Sequence, residues 1–241
     1  MLLRYYALAL LLSALAPFHP AQGLTIGQID NFESGTLEGW GPGDPGNLNP
    51  PRLGPICGRS GCLPGTDQYL LVLGNGIAAL PGSAVLAANS AQWAGDYVGA
   101  GITELAMWVN NLGTRDLNLR LAIESTNGDR WATATDKPLP APSANFQDWT
   151  LLRFDLLPSA WVDVGTTPAS ADANSALQSV ATLRILSSAS ASWEGDDIPG
   201  VLAVDLITAI PEPGTALLVS GGLLALAIGT PRRDSSRSAS E

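Results

Sequence analysis

The chain has 241 residues, a formal net charge of −10 and only 14% charged residues, alongside 26 glycines and 18 prolines. Lysine occurs once, at Lys137. So acidic a surface repels phosphate backbones and argues against nucleic acid as a partner, and the glycine and proline content points to short strands joined by turns rather than helices.

In chain order, the first element is MLLRYYALALLLSALAPFHPAQG. One arginine, Arg4, precedes an apolar run from Ala7 to Ala16, and Ala21-Gln22-Gly23 places small residues at the −3 and −1 positions. This layout predicts a secretory signal peptide over 1–23, cut after Gly23, with Ala16 as the alternative. The body then runs over 24–209. Cys57 and Cys62 lie in a Gly/Pro-rich loop, CGRSGC. In an oxidising compartment this pair predicts a disulfide, and it falls short of the four ligands a zinc site takes.

No long amphipathic helix is visible in the body. Strands are predicted at Gln68–Leu73, Ala84–Ala88, Thr103–Asn110, Leu117–Ser125, Arg130–Ala134, Trp149–Leu156, Thr182–Leu186 and Val201–Ile207. The clearest is LNLRLAIES, where Leu117, Leu119, Leu121 and Ile123 share one face. Asn127-Gly128-Asp129 is a tight turn into the next strand. Pro138–Ser143 and Gly165–Asn174 are predicted loops. The pattern predicts an all-β fold, a β-sandwich of the jelly-roll type, between an N-terminal signal helix and a C-terminal hydrophobic helix.

The last element is IPEPGTALLVSGGLLALAIGTPRR. Pro211-Glu212-Pro213 precedes an uncharged run of 15 residues, Thr215 to Gly229, and then Arg232 and Arg233. The run is shorter than the ~20 residues of a spanning helix, and the arginines mark its cytoplasmic side. One reading is an ordinary membrane anchor. Pro-Glu-Pro, a short apolar segment and a terminal arginine cluster, in that order over Ile210 to about Arg237, also resemble the PEP-CTERM sorting signal of Gram-negative bacteria. The resemblance implies that 210–241 is a sorting signal read by an integral-membrane transpeptidase-like enzyme, the exosortase. It further implies a transient hold in the inner membrane, a cut near the Pro-Glu-Pro, and delivery to the cell surface or extracellular matrix.

A second resemblance rests on IDNFESGTLEGW, from Ile29 to Trp40, and on the lone aspartate of LAVDLI, Asp205. These are similar to the first and last strands of carbohydrate-binding-module (galactose-binding-like) jelly rolls. That resemblance implies a structural Ca²⁺ held by Glu33 and Asp205, with backbone carbonyls near Gly35 and Thr36 and with Asp30 as a weaker ligand. The plain alternative is that Asp205, which alternates with Val204 and Leu206, faces water.

A sugar site needs aromatic faces with polar groups beside them. Trp131, Trp161 and Trp193 are the candidates, with Arg130, Asn118 and Arg120 as donors, whereas Trp40, Trp108 and Trp149 are expected in the core. Catalytic chemistry is poorly supplied. The only histidine, His19, lies in the signal peptide, which removes a Ser-His-Asp arrangement from the mature chain. Glu194, Asp196 and Asp197 read as a solvated loop or a surface cation site. The expected function is that of an exported, non-catalytic surface or matrix protein, with exopolysaccharide as a ligand. The alternatives are a glycan-active secreted enzyme and a permanently membrane-anchored surface protein.

Overall fold

The computed structural model describes residues 24–54, 68–78, 80–142 and 149–212. The predicted signal peptide over 1–23, the predicted Cys57–Cys62 disulfide, and Pro213, Arg232 and Arg233 of the expected C-terminal sorting signal lie outside these residues. Among the described residues no helix is long and apolar enough to cross a membrane.

The strands are β1 (Ile29–Asp30), β2 (Trp40–Gly41), β3 (Arg52–Leu53), β4 (Leu70–Asn75), β5 (Leu86–Asn89), β6 (Ile102–Asn111), β7 (Leu117–Ser125), β8 (Arg130–Thr133), β9 (Lys137–Leu139), β10 (Thr150–Asp155), β11 (Trp161–Asp163), β12 (Val180–Ser187) and β13 (Pro199–Pro211). A five-residue helix, α1 (Ala173–Leu177), starts where the Asp172 side chain accepts from the backbone N–H of Ser175. Two of these elements overlap the ends of predicted loops. β9 pairs with Leu117–Leu119 of β7, and α1 turns its alanines and Leu177 into the core.

One sheet runs β10-β6-β13-β4-β3, with β1 also on β13, and the other runs β11-β8-β7-β12-β5-β2, with β9 also on β7. Every pairing is antiparallel. If β4, β5, β6, β7, β8, β10, β12 and β13 are counted in chain order, one sheet reads first-eighth-third-sixth and the other second-seventh-fourth-fifth. That is the strand order of a jelly roll.

Alternation builds the core between the sheets. Leu117, Leu119, Leu121 and Ile123 of β7 meet Leu105, Met107 and Val109 of β6, together with Leu202, Val204 and Ile207 of β13. Truncating one such leucine to alanine costs about 2–5 kcal/mol. β13 keeps its apolar side inward only through a bulge. Asp205 lies opposite Trp108, whereas Thr208 lies opposite Ala106, so three residues span two. Leu206 takes the extra place with φ 47°, a left-handed conformation that costs a branched residue energy. The bulge turns Ile207, rather than Leu206, into the core. Asp205 is fully buried, so the water-facing alternative does not hold.

Candidate functional site

The outer face of the seven-stranded sheet carries a cleft of about 520 Å³. Its floor is β12, β7 and β8, and its walls are two loops. One is the turn 41–45 after β2, and the other, at 189–197, carries Trp193 over the sheet. Gly43 lets the first loop lie flat. Its φ is +70°, and a Cβ there would run into the Leu86 side chain, so glycine is strongly favoured.

Arg184, on β12, ties the two loops together. It donates to the carbonyls of Gly43 at 2.9 Å and Trp193 at 3.0 Å, and to Asp44 at 3.4 Å. Its guanidinium lies over the Trp193 ring, 3.7 Å from the centroid, and that of Arg130 lies 4.7 Å from the same centroid. These contacts combine cation–π attraction with hydrogen bonding. Burial lowers the Arg184 pKa, and the Asp44 charge opposes that shift.

At the mouth, Arg130 donates through Nε to Glu124 at 2.7 Å. This pair is only partly covered, with side chains 36% and 28% exposed. Trp193 itself is 7% exposed and so offers its edge more than a stacking face. The cleft is therefore a mixed surface, apolar along Pro42, Pro45, Ala88 and Trp193 and ion-paired at Arg130–Glu124 and Arg184–Asp44. Each of its carboxylates is engaged by an arginine, Glu124 by Arg130 and Asp44 by Arg184. Neither carboxylate is therefore a free acid facing a free base.

Behind β2 lies a buried polar knot. Asp30 is almost fully buried and accepts from the indole N–H groups of Trp40 at 2.7 Å and Trp93 at 2.6 Å, and from Gln92 at 2.5 Å. Burial raises its pKa although those three bonds pull it down. Burial also raises Glu38, and the charge on Asp30 adds to that rise. Tyr97, fully buried, donates to the Trp93 carbonyl at 2.8 Å.

The structure divides the expected glycan residues between two faces. Arg130 lines the cleft. Trp131, next along β8, points the other way and packs against the main core. Arg120 is buried and committed to the carbonyls of Thr133, Ser188 and Ala189, so it joins loops rather than facing ligand. The backbone N–H of Asn118 is bound to Ser187 and its carbonyl to Ser188. Trp161 is buried on β11. Trp40 is in the core as expected, whereas Trp108 is half-buried and Trp149 packs edge-on against Tyr69 in a smaller cluster. Asp196 and Asp197 hold their loop down through Ser188, Ala189 and Ser83.

Of the expected calcium ligands, Glu33 is exposed and accepts from the N–H of Gln68 at 3.2 Å. Asp205 accepts from the N–H of Leu206 at 2.7 Å. Asp30 is taken up by its three N–H donors. Among the described residues no three Asp, Glu, His or Cys side chains gather as a metal site. Two carboxylates supply a minority of the six to eight oxygens that Ca²⁺ takes, and the rest would have to come from backbone carbonyls. Sequence reasoning missed Glu124, Asp44 and Gly43. Glu124 was only half legible: the hairpin closes through a three-residue loop, Thr126-Asn127-Gly128, which sets Glu124 opposite Arg130, whereas counting outward from a two-residue turn at Asn127-Gly128 would set it opposite Trp131.

No family model matches the chain, and no curated protein matches it. Among solved structures it is similar to a family 11 carbohydrate-binding module from Clostridium thermocellum in complex with a β-1,3-1,4-mixed-linked tetrasaccharide. That likeness has 14% identity and a TM-score of 0.47, over 78% of this chain and 97% of that one. An exo-β-agarase matches at 14% identity and TM-score 0.48, over 78% of this chain and 25% of that one. A carbohydrate-binding module specific for non-crystalline cellulose matches at 15% and 0.38, over 78% and 97%. None reaches a TM-score of 0.5, and the jelly roll stands on its own strand order.

Proposed function

We propose that this is an exported, non-catalytic protein whose β-sandwich binds polysaccharide in the cleft beside Trp193. The observation that carries the reading is the partly exposed Arg130–Glu124 pair at the mouth of a cleft of mixed polar and apolar lining. Together these groups offer both donors and acceptors to vicinal hydroxyls. The cleft volume lies within the ~300–1,000 Å³ range of small-ligand sites. Mixed charge in the cleft and an acidic chain favour neutral, hydroxyl-rich polymers over polyanions.

The test is affinity electrophoresis of residues 24–212 in gels containing neutral or uronic-acid polysaccharides. Retardation by a neutral polymer, lost in Arg130→Ala, supports the reading. Hydrolysis of any polymer that stops in Glu124→Gln would establish the enzyme alternative.

The export route rests on the two sequence ends. In this reading the N-terminal segment directs secretion, the C-terminal segment holds the chain in the inner membrane, and a sorting peptidase of the exosortase kind releases it to the surface or matrix. A structural Ca²⁺ at Glu33 and Asp205 belongs to the same proposal. It is supported by the sequence resemblance and by the burial of the Asp205 carboxylate. Chelation with EGTA is expected to lower the melting temperature of the wild type and to leave Asp205→Ala unmoved. An identical wild-type melt with and without EGTA would remove calcium from the account.

A further inference from the structure

β10 is an edge strand. It has β6 on one side and, among the described residues, no strand on the other. Its register against β6 fixes which of its backbone groups stay open. Thr150 to Asp155 lie opposite Val109 to Glu104. The ladder carries on for one more residue, where the N–H of Leu156 donates to the carbonyl of Thr103 at 2.9 Å. In an antiparallel ladder each residue points its N–H and C=O to one side, and the side alternates along the strand. Leu152, Phe154 and Leu156 therefore turn theirs to β6, whereas Leu151, Arg153, Asp155 and Leu157 turn theirs to the open edge. Leu157 is still extended, at φ −64° and ψ 138°. The side chains sort in the same way. Leu152, Phe154 and Leu156 are buried, whereas Leu151 and Leu157 are 39% and 55% exposed, with Arg153 and Asp155 exposed beside them. The charges of this row do not balance within one copy. Arg153 pairs with Glu104 at 2.5 Å. Asp155 lies directly opposite that same Glu104 and has no ion pair among the described residues. Like charges set opposite each other weaken a strand pair.

We propose that β10 pairs with β10 of a second copy of this chain, antiparallel about a two-fold axis at Phe154, so that two sheets become one. Open backbone groups make an edge a template for another strand. Here those groups belong to odd-numbered residues, so a partner β10 must set odd positions against odd ones. The side chains then choose the register. With the axis at Arg153, arginine meets arginine and Leu151 meets Asp155. With the axis at Asp155, aspartate meets aspartate. With the axis at Phe154, Arg153 of each copy meets Asp155 of the other, and Leu151 meets Leu157. Both charges and both leucines are then matched, twice over. Each Asp155 gains a cation on the side away from Glu104, and each leucine pair removes exposed apolar surface from water. Arg153 and the second copy's Asp155 exchange two backbone hydrogen bonds on either side of the axis. A two-fold contact requires a patch complementary to itself, and the stretch 151–157 is one. A strand of another protein would require no such self-match. The cleft beside Trp193 belongs to the other sheet, so this pairing and polysaccharide binding stand or fall separately.

The test is register-specific cross-linking of the full chain in detergent. Leu151→Cys is combined with Leu157→Cys and the protein is mildly oxidised. Facing residues at this edge would have Cα atoms about 5.5 Å apart, within the reach of a disulfide. Within one copy the two positions stand about 20 Å apart along the strand, which no disulfide spans. The expected result is a covalent dimer whose linked peptides join position 151 to position 157. Adding Arg153→Asp sets aspartate against aspartate and should cut the yield at least about fivefold. Adding Asp155→Arg as well reverses both charges and should restore it. The proposal is overturned by no dimer, by links that join only 151 to 151, 157 to 157 or Cys57 and Cys62, by a yield that Arg153→Asp leaves unchanged, or by a loss that Asp155→Arg does not reverse. The wild type gives a second measurement. Hydrogen exchange at the amides of Arg153 and Asp155 should slow as the protein concentration is raised, and exchange there that ignores concentration also counts against the pairing.

Discussion

Asp30 shows how one short side chain organises a corner of the molecule. Its carboxylate satisfies two buried indoles and Gln92. Asp30→Ala leaves those donors without an acceptor and should cost about 3 kcal/mol, a fall in melting temperature of roughly 6–12 °C for a domain of this size. The same group sets a pH dependence. Burial raises Asp30 above its ordinary 3.8 and Glu38 above its ordinary 4.5. A carboxyl raised on folding binds its proton more tightly in the native state, so stability falls as pH climbs from the ordinary value through the raised one. Asp129 and Asp172 are lowered by bonds from Ser170 and Ser175, and their contribution is lost only as pH falls below 3.8. In the interval just above the ordinary values of 3.8 and 4.5, the melting temperature should therefore rise as pH falls, and Asp30→Asn should flatten that rise. A melt that falls steadily on acidification over this range would contradict the assignment.

At the scale of the element, the cleft depends on a loop lying flat and on an arginine that ties it down. Gly43→Ala drives a Cβ into Leu86 and places alanine at φ +70°. It should lift the 41–45 turn, cost about 1–3 kcal/mol and weaken polysaccharide binding. Unchanged binding and stability would show that the turn does not shape the cleft. The elements themselves were largely legible. Strict alternation announced β7, and glycine at Asn127-Gly128 announced its hairpin with β8. β9 and α1 were not legible, because three residues beside a proline and a five-residue turn carry too little periodicity. The bulge at Asp205-Leu206 was hidden for a different reason. Alternation read through LAVDLI gives no sign of an added residue, which shows only in the register against β6. Trp131 was a plausible sugar platform from sequence, yet the β8 pleat commits it to the interior and leaves Arg130 outside.

For the whole molecule, the sandwich brings distant segments together. The turn after β2, the β7–β8 hairpin and the 189–197 loop meet only because the jelly-roll order sets β5, β12, β7 and β8 side by side. No local motif encodes that cleft. β13 is the last core strand and runs through Pro211, so the fold takes up the first residues of the Pro-Glu-Pro segment. The central claim is that the cleft beside Trp193 binds polysaccharide. Titration calorimetry of residues 24–212 with the polymer that retards it most tests this directly. The account predicts an affinity reduced at least about tenfold, or about 1.4 kcal/mol, in Arg130→Ala, with little change in melting temperature because a half-exposed ion pair contributes little to stability. Binding by Arg130→Ala as tight as wild type, or no heat with any polymer in the panel, would contradict it.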